Sequence, residues 1–299
     1  YLIYDVIQSR IVKEGGTSTF PVEILISEKS KSAFISHWDA NSLFAVDAET
    51  FTTAHVPDSV TAGGIFFSKP QSVAVDAATN RIFISNLGSD YITVIDGAAQ
   101  KPIAKITVGR SIQTLFLNNS TKKLYAVSPP DNTFTVIDIS KSAYPTKTIQ
   151  LEQQPRGGAI NEKTNRIYYS NSAVAQISVV DGSKDEVIAT IDLPKKSFPL
   201  VSSIDERRDK IYVALYGGGL VAVINGENNK VEKLIPTGEN PIWARYIPAL
   251  DRVFVSVERE KKVLVIDPDS DEILQTLEVS GRPYRIFFDA ETKYVYINR

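Results

Sequence analysis

The chain has 299 residues, with 33 Lys and Arg against 35 Asp and Glu, so no overall charge bias draws it to nucleic acid or to an anionic membrane. It has no cysteine, which excludes disulfides, thiolate metal sites and a cysteine nucleophile and fits a secreted or periplasmic protein. No apolar run reaches the roughly 18 residues of a membrane span, and a start at Tyr1 without leader or initiator methionine reads as a processed or trimmed product.

In chain order, Tyr1-Leu-Ile-Tyr-Asp5 and Arg10-Ile-Val-Lys13 read as two strands of an incomplete unit. From Pro21 a pattern sets in, a proline and an aspartate 26 residues apart: Pro21 and Asp47, Pro70 and Asp96, Pro155 and Asp181, Pro241 and Asp267. Ile112 with Asp138 and Pro199 with Asn225 are close substitutes, and Pro283 opens a seventh copy. Successive copies start 42 to 44 residues apart, apart from one 49-residue step between Pro21 and Pro70. A period near 40 to 45 suits a four-stranded propeller blade.

The second copy shows the blade in full. Its runs are Pro70 to Asp76, Asn80 to Asn86, Tyr91 to Asp96 and Ile103 to Val108, rich in β-branched and aromatic residues and bounded by turn formers. Proline suits the start of the first strand, where it interrupts no central ladder. The Asp that ends the third strand can cap the following turn, so its recurrence is read as structural.

The expectation is an all-β protein: a seven-bladed β-propeller of four-stranded antiparallel blades, one domain over 1–299. Blades one to six fall within 18–282, and the last blade, formed by 283–299 plus 1–17, closes the ring with strands from both termini.

The end of the second strand carries a family resemblance. Phe83-Ile84-Ser85-Asn86 and Tyr168-Tyr169-Ser170-Asn171 resemble the Tyr-Val-Thr-Asn signature of YVTN-repeat propellers, followed by Thr93-Val-Ile-Asp96 and Ser178-Val-Val-Asp181 in that family's next strand. Looser copies at Phe34-Ile-Ser-His37 and Phe254-Val-Ser-Val257 extend the resemblance over essentially the whole chain. It implies a seven-bladed propeller of the YncE-like or surface-layer-like kind, commonly exported, and names no chemistry.

Function is sought where the copies differ, at the fourth signature position and in the first two residues after the proline. His37, Trp38, Gln71, Asn86, Gln113, Arg156, Trp243, Arg245, Tyr284 and Arg285 gather there as candidates for binding an anionic or planar ligand at the mouth of a central channel. Several of these arginines are equally able to pair with nearby acids, and Trp243 to pack between blades. With only His37 and His55 in the chain a polyhistidine metal site is impossible.

Glu23 stands where regucalcin-like and gluconolactonase-like propellers carry a metal-binding glutamate, which makes it a weak metal candidate without an evident partner aspartate. The 49-residue step holds an insertion around Val60 to Lys69. There Gly63 and Gly64 permit unusual backbone angles and Phe66 and Phe67 offer apolar surface, so the loop is read as a lid or partner site, or else as a plug.

Two motif searches fail: Gly217-Gly218-Gly219 lacks the helix of a nucleotide loop, and no Gly-x-Ser-x-Gly elbow occurs. The expected function is a non-catalytic, exported binding protein or interaction scaffold, a monomer without cofactor, taking a small anionic ligand, glycan or protein segment. The alternatives are a propeller lactonase or lyase, possibly metal-assisted, and a single-stranded nucleic-acid binder.

Overall fold

The computed structural model describes residues 2–5, 10–14, 21–27, 29–47, 50, 52–57, 66–151, 155–290 and 293–297. In chain order the strands are β1 (Leu2–Asp5), β2 (Arg10–Glu14), β3 (Pro21–Ser27), β4 (Ser32–His37), β5 (Ser42–Asp47), β6 (Thr53–Val56), β7 (Pro70–Asp76), β8 (Arg81–Asn86), β9 (Tyr91–Asp96) and β10 (Lys101–Thr107). There follow β11 (Thr114–Asn118), β12 (Lys123–Ser128), β13 (Thr133–Asp138), β14 (Thr146–Gln150), β15 (Gly158–Asn161), β16 (Arg166–Asn171), β17 (Gln176–Asp181) and β18 (Glu186–Asp192). The last are β19 (Pro199–Asp205), β20 (Lys210–Leu215), β21 (Leu220–Asn225), β22 (Lys230–Pro236), β23 (Pro241–Ile247), β24 (Arg252–Val257), β25 (Lys262–Asp267), β26 (Glu272–Glu278), β27 (Ile286–Phe288) and β28 (Tyr294–Ile297).

The chain divides into two compact units, Tyr1–Gln150 with Phe287–Arg299, and Leu151–Ile286. The first contains the sheets β3-β4-β5-β6, β10-β9-β8-β7 and β11-β12-β13-β14, together with β2-β1-β28-β27, in which β1 pairs antiparallel with β28 from Leu2↔Ile297 to Asp5↔Tyr294. The second contains β15-β16-β17-β18 and one eight-stranded sheet, β22-β21-β20-β19-β23-β24-β25-β26. The fold is thus a β-propeller of four-stranded antiparallel blades.

The expected count of seven blades is corrected to six. The two runs β19 to β22 and β23 to β26 are one hydrogen-bonded sheet, because their first strands pair in parallel at Val201↔Trp243. No side-chain pattern marks such a backbone pairing, and the proline period counts those runs twice.

The pattern of burial follows from neighbours on both sides. Second strands such as β4 and β20 are buried almost throughout, which explains their continuous apolar runs, whereas the outermost strands β10, β18 and β22 stay largely exposed. The core lies between adjacent blades: Ala74, Phe83 and Ile92 meet Leu115, Leu124 and Ile137 in the first unit. In the second unit Tyr212 and Val223 meet Ala244, Tyr246 and Val255 across the two halves of the eight-stranded sheet.

Polar side chains finish the joints between blades, since a first strand is an edge with unpaired amides and carbonyls. The serine at the third signature position donates to a later first strand or to the residues that lead into it: Ser36 Oγ to Gln71 O at 2.8 Å, Ser170 Oγ to Leu200 O at 2.6 Å and Ser256 Oγ to Tyr284 O, ahead of β27, at 2.7 Å. Two residues after the proline, Glu23 Oε2 accepts the Val73 N–H at 2.9 Å and Ser72 Oγ accepts the Leu115 N–H at 3.2 Å. The recurrent third-strand Asp or Asn caps its turn, as where Asp96 Oδ1 accepts the Ala98 and Ala99 amides, both at 2.9 Å. Asp181, Asn225 and Asp267 cap their turns in the same way.

Candidate functional site

In the first unit most of the candidate residues are engaged in structure. Asn86 is buried at the end of β8, where its Oδ1 accepts the Ser68 amide at 3.0 Å and its Nδ2 donates to Tyr91 O at 3.2 Å and Thr93 Oγ1 at 3.0 Å. His37, the counterpart on β4, is buried against Phe44 at 5.1 Å between ring centroids. Burial pulls its pKa down to about 4, with Asp39 opposing, so the imidazole is neutral at physiological pH. Glu23 is held by the Val73 amide. Among the described residues no three His, Cys, Asp or Glu side chains group as a metal set.

Trp38 remains 39% exposed, with the Lys69 ammonium 5.1 Å from its ring centre. Gln71 is buried and Gln113 half-buried, the latter donating its backbone N–H to Val127 O at 2.9 Å. Of the insertion, Gly63 and Gly64 lie outside the described residues. Phe67 packs in a core cluster with Phe34, Leu43 and Val56, while buried Phe66 faces the Lys105 ammonium at 4.6 Å and its carbonyl accepts the Thr93 hydroxyl. Both phenylalanines therefore stand inside the first unit's packing.

The second unit brings three candidates together. Trp243 is the third residue of β23, and Tyr284 and Arg285 directly precede β27. The Arg285 guanidinium carbon lies 3.7 Å above the Trp243 ring centre and 5.4 Å from that of Tyr284. Trp243 is only 8% exposed and Arg285 only 7%, so the cation is stacked in a largely dehydrated place. The Trp243 Nε1–H is buried and meets no acceptor among the described residues. An indole N–H can only donate and a guanidinium can only donate, so the pair presents donors to whatever lies against it. Arg245 is half-buried on the same strand as Trp243, and Arg156 is exposed with its backbone amide on Ser170 O at 2.9 Å.

A second charged constellation in this unit escaped sequence reasoning. Arg208 donates to Asp205 Oδ2 at 2.6 Å, to Asp251 Oδ1 and Oδ2 at 2.8 and 2.9 Å and to Asp269 Oδ1 at 2.7 Å, and Arg207 reaches Asp251 Oδ2 at 2.6 Å. Tyr246 donates its hydroxyl to Asp251 Oδ1 at 2.9 Å, and burial pushes that phenol up to about 12. The Arg208 hydrogen bonds hold Asp251 well below the usual carboxylate range. Perturbed groups often mark reactive sites, but here the Arg208 nitrogens and the Tyr246 hydroxyl all face acceptors in the chain, and the cluster clamps the turn after β19 to those after β23 and β25. Its partners are 43 and 61 residues apart, a spacing no local motif reveals.

The comparisons with known proteins agree with the fold. No family profile matches the chain. It is similar to the uncharacterized protein YncE of Salmonella typhimurium, 27% identical over 179 residues that cover 58% of this chain and 50% of that one, and equally to YncE of Salmonella typhi. The chain spans about half the length of the curated relatives it matches. Among solved structures, dihydro-heme d1 dehydrogenase NirN superposes with a TM-score of 0.75 at 11% identity, covering 99% of this chain and 67% of that one. Hydrazine synthase of Kuenenia stuttgartiensis gives 0.67 at 19% identity over 80% and 76%. At those identities the likeness is one of fold alone.

Proposed function

We propose that this chain is a non-catalytic binding propeller that works outside the cytoplasm, with an inner site at Trp243, Tyr284 and Arg285 for a small ligand bearing a carboxylate or similar anionic acceptor. The observation that carries this reading is the buried Trp243 Nε1–H without an acceptor, beneath a stacked guanidinium. Leaving such a donor unmade costs about 1 to 3 kcal/mol, which a ligand acceptor recovers on binding. The flat guanidinium suits the two oxygens of a carboxylate, and the flanking rings suit a planar ligand body.

A non-catalytic role is supported by the duties of the reactive candidates: His37 is buried and neutral, and the Glu23 carboxylate holds a backbone amide. Export is supported by the lack of cysteine and by the resemblance to exported propellers. The test is calorimetric titration of the intact protein with benzoate, phthalate and citrate. Binding by at least one of them, weakened tenfold or more in Arg285→Ala, is expected, since a hydrogen bond to a charged group is worth about 1.5 to 3 kcal/mol. Equal binding by wild type and Arg285→Ala sinks the inner site.

A further inference from the structure

Phe198 is held in a conformation that its residue type avoids. Its φ is 47°, in the left-handed region, and Lys196 two residues earlier has φ 61°. A bulky side chain there is strained, and strain of this kind persists only where the surroundings enforce it. The surroundings do enforce it: Ser197 N donates to Pro194 O at 3.1 Å, Gly217 N to Ser197 O at 2.9 Å and Tyr216 N to Phe198 O at 3.2 Å. Gly217 is required beneath the ring, because a Cβ there would collide with the Phe198 ring and the Lys196 carbonyl. The Ser197 hydroxyl is buried in the same loop without a partner among the described residues.

That strain is not repaid by burial, since the Phe198 side chain is 47% exposed. Val174, 48% exposed, stands in a turn fastened to the loop by Ser172 Oγ on Pro199 O. Lys195 and Lys196 are exposed on the same loop, and neither makes an ion pair among the described residues. The loop thus presents an exposed aromatic ring with two exposed lysines within three residues of it in the chain.

We propose that Phe198, Lys195 and Lys196 form a surface subsite for an acidic saccharide. The face of an aromatic ring is electron-rich and attracts the polarised C–H groups of a sugar ring, while the lysines supply point charges for its carboxylate or sulfate. Size decides against larger partners. A stable protein interface covers about 800 Å² on each side, far more than one ring and one valine, and a single ring with two lysines holds a membrane surface only marginally. A ring fixed in advance loses little freedom on binding, which is what the strained turn provides. The subsite shares no residue with the inner site: Phe198 directly precedes β19, whereas Trp243 lies on β23 and Tyr284 and Arg285 precede β27.

The experiment is binding of the intact protein to polygalacturonate and dextran sulfate, with neutral dextran and phosphatidylglycerol vesicles as competitors for the same explanation. The account expects binding to at least one acidic polysaccharide and none to dextran, reduced at least tenfold in Phe198→Gly and in Lys195→Gln/Lys196→Gln. It also expects Phe198→Gly to melt no lower than wild type, because glycine relieves the left-handed strain. A structural role for the ring would lower the melting temperature and leave binding intact. No binding to either acidic polymer, equal binding to dextran, undiminished binding by Phe198→Gly, or Phe198-dependent binding to the vesicles alone would each overturn the proposal.

Discussion

One position of the repeat does opposite work in the two units. Two residues after the proline, Glu23 and Ser72 of the first unit accept the otherwise unpaired amides of Val73 and Leu115. In the second unit the same position holds Trp243 and Arg285, which can only donate. There the joint between first strands is made by the backbone pairing Val201↔Trp243 and by Ser203 Oγ, which accepts the Tyr246 amide at 2.6 Å. Once the backbone takes over the joint at Trp243, the indole is not needed to make it. Trp243 and Arg285 stack on each other instead, with an indole N–H left over.

The comparison breaks first at the charged clamp, where the second unit is saturated and not open. Arg208→Ala should cost about 3 kcal/mol in chemical denaturation. The lower end of the range for broken ion clusters applies because only Asp205 is fully buried, whereas Asp251 and Asp269 face water. A loss below 1 kcal/mol would mean the cluster is ornamental. Next comes the joint itself: Ser72→Ala strands the buried Leu115 amide and should cost about 1 to 3 kcal/mol. Trp243→Phe, which removes a donor that has no acceptor, should cost less than Ser72→Ala; a larger cost would place Trp243 among the joints.

A pH titration sharpens the same contrast. Because the folded His37 pKa is lowered to about 4, the unfolded chain binds this proton more readily. The stability tied to a neutral His37 is whole above the unfolded value of about 6.5 and falls as pH drops toward 4. His37→Gln should flatten the melting temperature in that window, and an unchanged slope would remove His37 from the account. The smallest effect belongs to the exposed Lys69 and Trp38 pair, where Lys69→Gln should cost no more than about 0.5 to 1 kcal/mol.

How far the sequence could be read follows from which forces leave a local trace. The strands and the turn-capping aspartates were legible because each depends on residues adjacent in the chain, as Asp96 with Ala98 and Ala99. The blade count was misread because the Val201↔Trp243 pairing is made by backbone alone. The non-repeating positions include Trp243, Tyr284 and Arg285, which fold into one cluster, and also Asn86, whose bonds to Ser68, Tyr91 and Thr93 appear only after folding. Phe198 gave no sign, since its loop has the ordinary length and its distinction is a backbone angle.

The central claim is that the Trp243 N–H waits for an acceptor that a ligand supplies. With two tryptophans in the chain, a nitrogen–proton correlation spectrum contains two indole signals, and Trp38→Phe assigns the one from Trp243. Addition of the carboxylate that binds in calorimetry should move the Trp243 indole proton downfield in a saturable way, and Arg285→Ala should abolish the shift. A Trp243 signal that stays in place while that carboxylate binds would contradict the account.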